Sequence, residues 1–269
     1  MDSKIVLITG GSSGIGKSIG TYLSKKGYTV YGTTRNIDKY PNFEEFSLLQ
    51  MDVRNIESIS SAFKELLLKE GRVDILINNA GVGITGPIEE TPNDEILNVF
   101  DTNFNGPINV IKGVLPIMRK QNSGLIINIT SIAGYMGLPY RGIYSATKGA
   151  LGVITESLRM ETKDFGIKIT TLAPGDFVTN IAAGRYHSPV LKDSPYEIPY
   201  KKTLEAIDAD VDGGEDPIMV AQMVLKIINT DKPKVHYKVG SFLQKFSVTL
   251  KKILPSKIYE KILLNHSKL

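Results

Sequence analysis

With 269 residues, 42% of them hydrophobic and 22% charged, the chain is long enough for one α/β domain with a sizeable core. It has no cysteine, which excludes a disulfide framework and a thiolate metal centre, and its three histidines (His187, His236 and His266) show no ligand spacing, so no metal is expected. A net charge of +4, much of it in C-terminal lysines, is too thin for a nucleic-acid footprint, and no run approaches the ~20 apolar residues of a membrane span.

Lys4 leads straight into Ile5-Val6-Leu7-Ile8, which reads as a strand over 4–9 rather than a leader, so a cytoplasmic location is expected. After that strand comes Thr9-Gly10-Gly11-Ser12-Ser13-Gly14-Ile15-Gly16, opening a helix predicted over 14–26. Gly10, Gly14 and Gly16 let the backbone turn tightly and approach a pyrophosphate, which the helix N-terminus attracts. The spacing differs from the commoner Gly-x-Gly-x2-Gly, but the strand–loop–helix context is that of a dinucleotide site.

A second strand, 29–34, ends in Thr33-Thr34-Arg35-Asn36, with no acid before Asp38. A carboxylate there would hold a free ribose 2′-hydroxyl and repel a 2′-phosphate. Arg35 can instead fork onto a phosphate, so NADP(H) is preferred and NAD(H) remains possible. The alternative is a solvated loop arginine.

Further strands are predicted over 45–51, 75–78, 125–130, 168–173 and 235–239, and further helices over 56–69, 94–119, 144–164 and 217–229. This alternation implies one doubly wound, Rossmann-type α/β domain: seven parallel strands with helices on both faces. Two stretches break the rhythm. Residues 181–216, polar and rich in Pro and Tyr, read as a substrate lid loop; residues 241–269 read as an appended helical extension, broken at Pro255.

Tyr144 and Lys148 stand four apart on a predicted helix, so phenol and ammonium share a face. A free phenol has a pKa near ~10, and a nearby positive charge lowers it, so the pair reads as a tuned proton donor and acceptor. Alone, such a pair is more often a snorkelling surface couple, and Ser131, at a strand end, more often a turn residue.

In order and spacing, these motifs resemble the short-chain dehydrogenase/reductase family, in its shorter branch, over about residues 3–240. Thr9 to Gly16, including Ser12, Ser13 and Ile15, matches the family's cofactor loop, and Thr34 and Arg35 fall where the adenosine ribose is held. Asp52-Val53 matches the pair that meets the adenine, and Asn78-Asn79-Ala80-Gly81 matches the segment shaping the cofactor pocket. Asn103, Ser131, Tyr144 and Lys148 match the catalytic tetrad. Pro174-Gly175 and Thr179 match the stretch flanking the nicotinamide carboxamide.

The resemblance implies hydride transfer between nicotinamide and a ketone or secondary alcohol. Tyr144 would protonate the forming alkoxide and Ser131 would hold the substrate oxygen. Lys148 would lower the phenol pKa and bind the nicotinamide ribose, and Asn103 would hold a water. It also implies a homodimer or homotetramer. A nucleotide sensor without turnover is the main alternative; a Ser–Lys hydrolase lacks its nucleophile elbow, and the longer epimerase branch is disfavoured by the glycine spacing.

Tyr186, Tyr196 and Tyr200, with Val190, Leu191 and Ile198, suggest a lid over a medium-sized hydrophobic substrate of steroid, retinoid or lipid type, with residues 133–138 lining the same pocket. Packing of these groups onto the domain is the equal alternative. The basic, amphipathic tail suits docking on its own domain or on a partner subunit, which is favoured, or a membrane surface.

Overall fold

The computed structural model describes residues 3–178 and 184–269. Strand β1 (Ile5–Ile8) is buried at all four positions, as a continuous apolar run requires of a strand covered on both faces. Along the chain follow α1 (Gly14–Lys25), β2 (Thr29–Thr34), β3 (Ser47–Gln50), α2 (Ile56–Glu70), β4 (Ile75–Asn78), β5 (Ile84–Thr85), α3 (Asn93–Phe100), α4 (Gly106–Gln121) and β6 (Gly124–Ile129). Then come α5 (Gly142–Glu161), β7 (Ile167–Pro174), β8 (Tyr186–His187), α6 (Glu197–Asp212), α7 (Ile218–Ile228), β9 (His236–Val239), α8 (Phe242–Ile253) and α9 (Ser256–His266).

Seven of these strands form one parallel sheet in the order β3-β2-β1-β4-β6-β7-β9. The chain winds outward from β1 to β3, then resumes on the other side at β4. This Rossmann-type arrangement opens a crevice at the carboxyl edge, where the order reverses between β1 and β4. Alternate side chains feed two cores. Ile5, Leu7, Leu76 and Ile126 meet Phe63 of α2 and Val110 and Val114 of α4. Val6, Ile8, Ile77 and Ile127 meet Ile19 and Leu23 of α1 and Val220 and Val224 of α7.

Two departures from the sequence reading matter for the site. The helix expected over 94–119 is α3 and α4 joined by a π-helical turn, Asp101–Asn105. Pro107 has no N–H to give back along the helix, so the hydrogen-bond ladder is interrupted here and the turn widens. The stretch 181–216, expected as a loop, contains β8, paired in parallel with β5, and all of α6. The signal for α6 was the buried series Tyr200, Thr203 and Ile207, obscured by Pro199, which the first helical turn tolerates.

The tail does break at Pro255, between α8 and α9. It docks through Val248 and Tyr259 against Ile132, Met136 and Ala173. Among the described residues no helix is long and apolar enough to cross a membrane.

Candidate active site

From the end of β1, residues 9–16 cross the carboxyl edge of the sheet into α1. Gly10 has φ +64°, a left-handed conformation that favours glycine, and a Cβ on Gly16 would overlap the Gly10 carbonyl oxygen. The first turn of α1 carries no acid, so its N–H groups and positive dipole end meet no competing anion there. Thr9 Oγ1 accepts from the N–H groups of Asn79 and Ala80, both at 3.0 Å. Asn79 Nδ2 donates to the carbonyls of Thr9 and Gly10, both at 3.1 Å, so the segment after β4 braces the loop.

A cleft of about 290 Å³ runs along this loop. Its walls hold Gly10, Ser12, Ser13, Gly14, Ile15, Thr34, Arg35, Asp52, Val53, Asn79, Ala80 and Gly81, and Gly16 stands just behind them. Arg54, not foreseen from the sequence, shares the cleft and grips Asp52 through Nε (3.2 Å) and Nη2 (2.9 Å). These hydrogen bonds hold the Asp52 carboxyl below its ordinary pKa despite its burial. The only signal in the sequence was a cation two residues past the acid.

Through Ile15, Asn79, Gly81 and Val82 the cleft continues into a tighter cavity of about 80 Å³. Ser131, Tyr144, Lys148, Pro174 and Gly175 line it. Ser131 follows β6 and caps a short 3-10 turn, its Oγ accepting from Ala133 N–H at 3.2 Å. Tyr144 and Lys148 project from the first two turns of α5. Lys148 is buried, and its Nζ donates to the Ile129 carbonyl at 3.0 Å.

Asn103 lies in the π-helical turn, fully buried, and does not itself reach the cavity wall. Its Oδ1 accepts from Val82 N–H and its Nδ2 donates to Val82 O, both at 2.8 Å. A Cβ on Gly81 would lie 3.2 Å from Asn103 Oδ1 and 3.3 Å from Lys148 Nζ, so both groups stand beside Gly81. Thr179 lies outside the described residues.

The electrostatics add two arginines to the sequence reading. Burial pushes the Tyr144 phenol above its ordinary pKa, and Arg141, the Ser131 hydroxyl and Arg185 pull it back. Burial brings Lys148 itself down to about 8. The amine sits deep, committed to a backbone carbonyl, while the guanidinium of Arg141 stands 5.9 Å from the Tyr144 ring centre.

The polar wall was also unforeseen. Arg141, Asp176 and Arg185 line the cavity around Tyr144, in place of an aromatic lid. Tyr200 is buried, donating to Thr85 O at 3.0 Å with its ring 5.1 Å from Tyr140, and Tyr196 donates to Glu89 at 2.9 Å. Val190, Leu191 and Ile198 are exposed. In the run 133–138, Met136 packs into the small core beneath the tail. None of these groups stands in either cavity wall.

Residues 4–189 match the family model for short chain dehydrogenase. The chain belongs to the short-chain dehydrogenase/reductase family. It is an oxidoreductase acting between CH–OH and C=O with a nicotinamide coenzyme. It is 38% identical over 261 residues to 3-ketodihydrosphingosine reductase of Bacteroides thetaiotaomicron, covering 97% of this chain and 96% of that one. Among solved structures, a short-chain dehydrogenase from Streptomyces avermitilis superposes with a TM-score of 0.80 at 31% identity, covering 97% of both chains. An actinorhodin polyketide ketoreductase with NADPH gives 0.75 at 28% identity, covering 90% of this chain and 98% of that one.

The residues present fit a nicotinamide dinucleotide. The glycine loop leaves a cradle that side chains would fill, a helix N-terminus opens on it, and the cleft shares the wall Ile15, Asn79, Gly81 and Val82 with the cavity that holds Tyr144.

Proposed function

We propose that this enzyme is an NADP(H)-dependent ketone reductase whose substrate joins a long apolar chain to polar groups beside the carbonyl, like the sphingoid ketone in the name of its Bacteroides relative. The observation that carries this reading is the meeting of Ser131, Tyr144 and Lys148 in one cavity that continues into the glycine-lined cleft. Arg35 at the end of β2 and the nearby Arg54, with no carboxylate before Asp38, favour the 2′-phosphate.

In reduction, the bound nicotinamide supplies the hydride to the carbonyl carbon. Tyr144 gives its phenolic proton to the forming alkoxide, and a phenol kept protonated by burial suits that direction. Ser131 hydrogen-bonds the same oxygen as charge develops on it. Arg141 and Arg185 then stabilise the phenolate left behind. Lys148 would hold the nicotinamide ribose, and Asn103, bonded to both backbone groups of Val82, would steady the segment beside Gly81. Arg141, Asp176 and Arg185 give the wall charges of both signs, suited to an amine and a hydroxyl flanking a ketone and less suited to a steroid or retinoid, whose surroundings next to the reacting oxygen are hydrocarbon.

The test is NADPH oxidation with 3-ketodihydrosphingosine and with a steroid ketone, using Tyr144→Phe as control. The sphingoid ketone should be reduced in preference. The variant should bind NADPH normally but lose about 10²–10⁴-fold in kcat. An enzyme that binds NADPH yet reduces neither ketone would point to the sensor reading instead.

A further inference from the structure

Helix α8 has two apolar sides, and among the described residues only one is packed into a core. Val248 packs into the small core with Met136, Ala173 and Tyr259, and Gln244 ties the helix to the cavity wall, its Nε2 donating to Asp176 Oδ2 at 2.7 Å. Around the helix from Val248, Phe242, Phe246 and Ile253 share a face, flanked by Leu243. These four are 74%, 41%, 67% and 76% exposed, in that order. Phe242 and Phe246 stack on each other with ring centres 5.7 Å apart. On α9, Ile258 and Ile262, one turn apart, are exposed as well.

Charge tells what such a surface fits. Residues 241–269 hold six lysines and one acid, Glu260, a net +5, so against +4 for the whole chain residues 1–240 carry −1. Lys245 and Lys252 border the stripe on α8, Lys251 lies over the Tyr259 ring on the docked side, and α9 adds Lys257 and Lys261. Two copies of the chain meeting through this surface would set +5 against +5. An anionic bilayer would take the aromatic and aliphatic groups into its interface while the lysines reach its head groups.

We propose that α8 and α9 dock the enzyme on an anionic lipid surface, with Phe242, Leu243, Phe246 and Ile253 as the inserted stripe. Because Gln244 lies within that stretch and holds Asp176, docking places the bilayer beside the wall of the reaction cavity. The inference stands on this surface and its charge, independently of which ketone is reduced.

The experiment sediments the full-length enzyme with vesicles of phosphatidylcholine alone and of phosphatidylcholine with phosphatidylglycerol, at low and raised salt. Binding should require phosphatidylglycerol and weaken with salt. It should fall by about tenfold or more in Phe242→Glu/Phe246→Glu and in Lys245→Glu/Lys252→Glu, with NADPH-dependent reduction of a small water-soluble ketone unchanged. The chain has no tryptophan, so Phe246→Trp adds a single probe whose emission should shift to the blue on the anionic vesicles.

No sedimentation with the anionic vesicles, equal binding by the glutamate variants, or an unshifted tryptophan would overturn the proposal. So would a dimer in solution that Phe242→Glu/Phe246→Glu converts to monomer, which would make the stripe an interface between copies.

Discussion

Lys148→Met should make the nucleotide-free enzyme more stable at pH 7 while removing its activity. Burial brings the ammonium from its ordinary 10.5 to about 8, so at neutral pH the folded protein holds a charge in a place that disfavours it. At ~1.36 kcal/mol for each pH unit, this costs the folded state about 3 kcal/mol. Methionine fills nearly the same volume without charge but loses the bond from Nζ to the Ile129 carbonyl, worth about 1 kcal/mol. The net expectation at pH 7 is a gain of about 2 kcal/mol.

The sign with pH follows from proton binding. Between the folded value of about 8 and the unfolded value of 10.5, the unfolded chain holds a proton at this position that the folded chain has released. Wild-type stability therefore rises with pH through this window, and the cost is complete below it and gone above it. Urea unfolding of both proteins from pH 7 to 10 should show the advantage of Lys148→Met shrinking as pH rises. A difference that stays constant over that range, or a variant less stable at pH 7, would refute the reasoning.

Arg35→Ala should raise KM for NADPH by about tenfold or more and leave KM for NADH nearly unchanged, because on the proposed reading the cleft-lining guanidinium grips the 2′-phosphate, which NADH lacks. Equal effects on the two coenzymes would remove its phosphate role. Arg141→Gln should move the alkaline rise of alcohol oxidation to higher pH, since oxidation needs the phenolate and Arg141 is the largest influence lowering the Tyr144 pKa. An unshifted pH–rate profile would show that the guanidinium does not act on the phenol.

Local pattern carried the sheet. Every position of β1 and β4 is buried, and their Ile, Val and Leu runs, set between helical patterns, fix strand type and parallel order before any contact is known. The loop from Thr9 to Gly16 was legible for the same reason, because its chemistry lies in consecutive backbone. Asn103 is different. Its motif marked the position, but its hold on Val82 depends on a π-helical turn that helical periodicity does not announce.

The cavity wall was least legible because it is made by pairing across about a hundred residues. Arg185 has no local feature that separates it from a solvated loop arginine. It reaches the site because β8 pairs with β5 in the register Ile84 to Tyr186 and Thr85 to His187, which sets Arg185 across from Gly83. A Cβ at Gly83 would come within 2.9 Å of the Arg185 stem, so the glycine is what lets that side chain lie flat against the strand and enter the cavity. A slip of one residue would turn the arginine to the other face and bring Tyr186 toward the cavity, as an aromatic lid would require. The register is anchored instead by Tyr200 and His187, both at Thr85 Oγ1, and by Ser188 N–H donating to the Thr85 carbonyl at 2.8 Å. The tyrosine expected to cover the substrate thus holds the strand that delivers a cation to the phenol. A hydroxyl that finds a buried partner is spent on structure, and the chemistry at Tyr144 passes to the residue that the pairing leaves facing inward.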